Sequence, residues 1–294
     1  MVMNSVFSDY HPIVSFSYFT IIIIFTMIFK HPIFIGISLI SAIVYALILN
    51  GKKALKLNIL FGLPMFIMIA IANPIFSHKG ATILFYLRGN PITLESIMYG
   101  IISASMMLSI IMWFNVYNVI ITSDKLIYIF GRIMPSIALM ISMTLRLIPK
   151  LVHQTKVITE TQRTVGLDCN SGKLMVKVKS CMRVLSILVT WALEDAVQTA
   201  DSMKARGYGY GKRTTFTIFK FTKQDGIMLS FIILVVIICF IGYGVGIGNL
   251  RFYPTMARIK FDKLSILMYI AFLIINSLPI FLELREEIKW KSLK

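Results

Sequence analysis

The sequence predicts an all-α integral membrane protein, with about six transmembrane helices plus a cytoplasmic module of one short and two long helices. Two observations carry this. The chain of 294 residues is 57% hydrophobic and only 15% charged, with a mean hydropathy of +0.80. A soluble domain is about half apolar and about a quarter charged. The apolar excess also falls in blocks near the length of about 20 residues that a helix needs to cross a bilayer.

The blocks come in order. Residues 13–29 hold "IIIIF" at their centre and end at "KHP", where Pro32 disfavours helix in the residue before it. Residues 33–49 follow, then "NGKK". The third block, 57–76, contains Pro64 and Pro74, which a membrane bundle tolerates. Residues 77–93 are mixed, with His78, Lys79, Arg88 and the turn-forming "GNP". The fourth block, 94–121, carries Trp113 and Tyr117 toward one end, as interfacial anchors often sit. Residues 227–247 and 264–282 complete six spans. The chain thus divides into 1–121, a four-helix membrane part; 122–226, a polar module; and 227–294, two further spans with a charged tail. With the N-terminus inside, Lys52, Lys53 and Lys56, the module and the tail all face the cytoplasm, which satisfies the positive-inside rule. The stretches 133–148 and 184–193 are too short or too interrupted to count as spans, Arg146 and Pro149 breaking the first. No removable signal peptide is expected from "MVMNSVFSDYHP".

Within 122–226, "TSDKLIYIFGRIMP" reads as a short amphipathic helix capped by Ser123, with Asp124 in its first turn. A long helix opens at Pro135 and places Ala138, Ser142, Arg146 and Lys150 on one stripe. It runs through Pro149 to Gly166. A second long helix covers about 173–206 and stops at Gly207. Ala192, Ala196 and Ala200 make a small-residue ridge on it, the kind that lets helices cross closely. Both long helices therefore end alike, with arginine near the last turn and then glycine. One such end is ordinary dipole chemistry; a matched pair on one face points to a protein contact.

Other chemistries fit poorly. The stretch "ADSMKARGYGYGKRT" lacks the G-x-x-x-x-G-K-[ST] spacing, because Arg206 stands where the first glycine belongs, and it follows a helix instead of a strand. It reads as a flexible basic plug for an acidic groove on a partner. The basic surplus of 30 Lys and Arg over 13 Asp and Glu is that of cytoplasmic loops, and no motif accompanies it that would indicate nucleic-acid binding. Cys169, Cys181 and Cys239 have no pairing pattern. The four histidines have no metal-ligand spacing, so neither metal nor cofactor is expected. Adjacent Glu194 and Asp195 face different helix sides, and no nucleophile motif appears, so the chain is not expected to be an enzyme. Spans nearly free of ionisable groups disfavour a self-contained permease or channel, the main alternative. A membrane enzyme acting on lipid is disfavoured by the missing catalytic groups.

With "LRLIPKLVHQTKVITETQRTVG" at 145–166 and "DSMKARGYGYGKRT" at 201–214 in view, the chain resembles the transmembrane (T) component of energy-coupling factor transporters, ATP-driven importers of vitamins and transition-metal ions. That family carries an Ala-Arg-Gly signature at the end of each of two coupling helices. Here the second is intact as Ala205, Arg206 and Gly207. The first departs: Thr164-Val165-Gly166 keeps the glycine, and the nearest arginine is Arg163. The resemblance implies a scaffold in a prokaryotic plasma membrane that binds no solute itself. Its partners would be the lipid bilayer, a substrate-binding membrane (S) subunit and two ABC-type ATPases. Arg163, Gly166, Ala205, Arg206 and Gly207 would dock on the ATPases.

Overall fold

The computed structural model describes residues 6–77, 79–87, 90–166, 174–211, 219–254, 257 and 262–292. Its helices are α1 (Val6–Asp9), α2 (Pro12–Ile28), α3 (Pro32–Phe76), α4 (Leu94–Ile120), α5 (Ser123–Ile133), α6 (Pro135–Thr164), α7 (Leu174–Ala205), α8 (Lys223–Gly244) and α9 (Lys263–Ser292). The chain forms two compact units, one of residues 1–126 with 219–294 and one of residues 127–218.

In the first unit, α2 and α3 start by the same local device, the repeated tripeptide His-Pro-Ile. His11 and His31 are the N-caps, their Nδ1 atoms accepting the Ile13 and Ile33 amides at 3.3 and 3.4 Å. Pro12 and Pro32 fill the first helical position, where a missing N–H costs nothing. The two blocks expected at 33–49 and 57–76 are the two helical segments of α3, separated by a kink at Gly51, whose φ of 66° leaves the helical region. A Thr222–Asp225 capping box opens α8.

The mixed segment at 77–93 is more ordered than its composition predicts. β1 (Ile83–Leu87) and β2 (Asn90–Thr93) form an antiparallel hairpin. Five consecutive apolar and aromatic residues, "ILFYL", suit a strand. Buried Glu95 in the first turn of α4 accepts the Thr82 hydroxyl at 2.6 Å and ties the hairpin's start to the helix.

The core of this unit lies among α2, α3, α4, α8 and α9. Tyr18, Phe19, Phe29, Phe34, Tyr45, Trp113 and Phe272 are fully or almost fully buried there. Within a bilayer no hydrophobic driving force separates helix from lipid, so close packing and interhelical hydrogen bonds carry the association. Phe29, Phe34 and Phe272 pack ring against ring at 4.9–5.7 Å. Tyr18 donates to the Ile275 carbonyl at 2.9 Å.

Among the described residues, six helical segments are long and apolar enough to cross a membrane: Pro32–Gly51, Ile59–Phe76, Leu94–Ile120, Pro135–Thr164, Lys223–Gly244 and Lys263–Lys291. The number agrees with expectation, while the set differs in one exchange. α2 has 17 residues, about 26 Å at 1.5 Å per residue, and falls short of the others. α6 joins the set because Arg146 and Pro149 do not interrupt it: the helix runs unbroken for 30 residues.

Candidate functional site: the glycine-stopped ends of the two long helices

The second unit holds the rest of α5, α6 and α7. The end of α5 meets the start of α6 at Gly131, where a Cβ would stand 3.3 Å from that of buried Ala138. α6 and α7 pack on one another, and one polar cluster joins them: Lys150 pairs with Asp195, and its ammonium lies 5.2 Å from the Trp191 ring centroid. Asp195 and Trp191 are four apart on α7 and share a face. Sequence reading missed this cluster, since nothing in the local pattern pairs residues 45 apart.

Both helices also carry many uncovered apolar side chains. Ile137, Met140, Ile141, Ile148 and Val152 on α6, and Val178, Met182, Leu185, Val189 and Leu193 on α7, are all exposed. Contiguous apolar surface on this scale marks contact with lipid or another protein. On the predicted ridge, Ala192 is half-buried, whereas Ala196 and Ala200 are exposed.

The two helix ends are built alike. On α7, Gly207 has φ 81°, its amide donates to the Lys204 carbonyl at 2.9 Å, and the Tyr208 amide donates to the Met203 carbonyl at 3.0 Å. This pair of bonds is a Schellman stop, which satisfies carbonyls the helix leaves open. On α6, Gly166 has φ 79°, and its amide donates to the Arg163 carbonyl at 3.0 Å. Among the described residues, no atom stands within 4 Å of where a Cβ would be at either glycine. Glycine is needed at both for backbone conformation, not for room.

Each stop leaves its neighbours in solvent. Arg163, Ala205 and Arg206 are exposed, as are Tyr208 and Tyr210, the latter almost completely. Lys204 and Arg163 sit in the last turns of their helices, where positive charge meets the negative end of the dipole. Lys212 and Arg213, the rest of the expected basic plug, lie outside the described residues, as does 167–173 after Gly166.

Six helical segments of membrane-spanning length and composition among the described residues define a multi-pass membrane protein. Comparison with known proteins narrows this. The CbiQ family model, described as cobalt transport protein, matches residues 4–218. A Brevibacillus brevis protein named energy-coupling factor transporter transmembrane protein EcfT is 29% identical over 239 residues, 74% of this chain and 87% of that one. The Staphylococcus aureus protein of that name is 27% identical over 215 residues, 67% of this chain and 80% of the relative. A Lactobacillus helveticus relative reaches 36% over 113 residues, which is 38% of this chain and 41% of its own length. The chain belongs to the CbiQ family and is a transmembrane component of an energy-coupling factor transporter.

Proposed function

We propose that this chain is the scaffold and coupling subunit of its importer, transmitting the motion of two ABC-type ATPases to a substrate-binding membrane subunit for uptake of a vitamin or a transition-metal ion. In this reading 122–226 is the coupling module between membrane parts 1–121 and 227–294. The module and both termini face the cytoplasm of a prokaryote.

The observation that supports it best is the matched pair of helix ends, each with a left-handed glycine and an exposed arginine beside it. A long helix transmits displacement as a rod, and a fixed stop holds a charged tip in a defined place. Arg206, flanked by Ala205 and Gly207, is the stronger tip. Arg163 serves the first helix, three residues before Gly166. The exposed apolar residues of α6 and α7, together with exposed Ala196 and Ala200 on α7, are the surface for membrane and S subunit. Small residues there let a partner helix approach closely.

The test is co-purification of tagged chain with its candidate ATPases, comparing wild type with Arg206→Glu and Arg163→Glu. Reversing a charge paired with a carboxylate should cost more than truncating it, which already costs about 2–5 kcal/mol. Arg206→Glu should therefore lose the ATPases while remaining inserted. Retention of the ATPases by both variants would remove the docking reading.

A further inference from the structure

Besides Glu95 at the hairpin, the first unit buries Lys125 and Asp225, 5% and 3% exposed, which the coupling reading does not use. They flank the second unit in sequence. The chain leaves the first unit after Leu126 and returns to it at Phe219. Lys125 is thus at the exit root and Asp225 at the return root, and both are tied to the same short N-terminal stretch.

The Lys125 ammonium has three N–H donors and meets three acceptors. Two are on Ser8, its carbonyl at 2.6 Å and its hydroxyl at 3.2 Å, and the third is the Ile120 carbonyl at 3.0 Å. Ile120 is the last residue of α4, so one bond closes an otherwise open helix end. Burial holds the Lys125 pKa below the usual lysine range, and nearby Asp9 acts in the opposite sense. Asp225 is equally saturated. Its Oδ2 accepts the Thr222 amide at 2.8 Å and hydroxyl at 2.6 Å, completing the cap of α8. Its Oδ1 accepts the backbone amide of His11 at 2.9 Å. The His11 ring then packs edge-on against Phe221, between the return point and α8.

Ser8 and His11 are three residues apart. We infer that the segment from Ser8 to His11 is a brace that positions both roots of the coupling module together, Lys125 holding one and Asp225 the other. A lever needs a fixed base, and two roots tied to one segment cannot shift independently. The purpose of the brace rests on the coupling reading; its existence does not.

Amide hydrogen exchange on the purified chain in lipid nanodiscs, without ATPases, tests this separately from docking. Lys125→Met should raise exchange about tenfold at 122–126 and also at 222–227, with the middle of α4 unchanged. Asp225→Asn, which keeps the side chain's volume, should loosen 122–126 as well as its own root. It reads the same coupling if Lys125→Met does not accumulate. Lys125→Arg should keep both roots protected. If each variant loosens its own root alone, or neither root, the two groups are independent caps and the brace is overturned.

Discussion

Gly166 and Gly207, at the ends of two different helices, hold nearly the same left-handed conformation, with φ of 79° and 81°. Among the described residues nothing stands within 4 Å of a Cβ built at either, so a side chain there would act through the backbone. Left-handed conformation costs a residue with a Cβ about 1–2 kcal/mol, and asparagine less than most. Gly207→Ala should therefore open the last turn of α7, and Gly207→Asn should do so less. The amide of Tyr208, bonded to the Met203 carbonyl, is the reporter: its exchange should rise in the order Gly, Asn, Ala. Equal exchange in all three would mean that the stop is not conformational.

The ion pair between α6 and α7 should be weak by comparison. The side chains of Lys150 and Asp195 are 52% and 21% exposed, and exposed pairs contribute about 0–1 kcal/mol. A double-mutant cycle of Lys150→Met and Asp195→Asn should give a coupling below about 1 kcal/mol, smaller at high salt because solvent ions screen it. A coupling that high salt leaves unchanged would count against a solvent-exposed pair.

Close approach of α3 and α4 depends on Gly100. A Cβ there would stand 2.8 Å from the Ala70 carbonyl oxygen and 3.1 Å from the Asn73 Cβ. A backbone atom cannot rotate away, so Gly100→Ala must push the helices apart, at about 1–3 kcal/mol for overpacking. Gly36 on α3 meets nothing within 4 Å, and alanine there gains helix propensity of about 0.5–1 kcal/mol. Thermal unfolding in detergent should lower the midpoint for Gly100→Ala and hold or raise it for Gly36→Ala. A harmless Gly100→Ala would show that the contact is loose.

How much of this was legible in the sequence depends on the range of the interaction. The fold class, the two long helices and their glycine stops rest on signals within a few residues, such as Pro135 at a start or Gly207 at an end. The resemblance to a known family was legible from two segments, 145–166 and 201–214. The hairpin at 83–93 was not, because five adjacent apolar residues show no alternation. The break after residue 49 was legible in "NGKK", and the backbone leaves the helical region there, at Gly51. Pairings such as His11 with Asp225, 214 residues apart, are set by tertiary packing and leave no local trace.

His31 makes the stability of the first unit depend on pH. It is 3% exposed. Its Nδ1 accepts the Ile33 amide, and its Nε2 lies 3.3 Å from the Tyr269 hydroxyl. Burial pushes its pKa below the ordinary 6.5. Between the lowered value and 6.5 the unfolded chain binds more protons than the folded one, so stability increases with pH through that window. The contribution of neutral His31 is full above the window and is lost as the pH falls through it. Protonation at Nδ1 would also turn the acceptor of the helix cap into a donor. The unfolding midpoint should fall between pH 7 and pH 5, and His31→Asn, which can cap without titrating in this range, should flatten that slope. An equal slope in the variant would assign the effect elsewhere.

Ser38 is a fully buried polar group of the first unit, and its bonds have a direction. Thr26 donates to the Ile22 carbonyl at 2.8 Å, so its single hydroxyl hydrogen is used and it accepts from Ser38 at 2.9 Å. Ser38 is left with its acceptor sites, which take the Trp113 indole N–H at 3.0 Å and the Ser109 hydroxyl at 2.9 Å. One serine on α3 thereby joins α2 and α4 with its hydrogen-bonding capacity filled. Ser38→Ala leaves the fully buried Trp113 N–H without an acceptor, at a cost of about 1–3 kcal/mol. Ser109→Ala alone removes one donor and should cost less. Adding it to Ser38→Ala should cost almost nothing further, because the Ser109 hydroxyl has by then lost its acceptor. The pair should thus be non-additive by about 0.5–1 kcal/mol when unfolding is measured for both single variants and the double. Strict additivity would mean that the two serines act separately and that Ser38 is not the hub of the three helices.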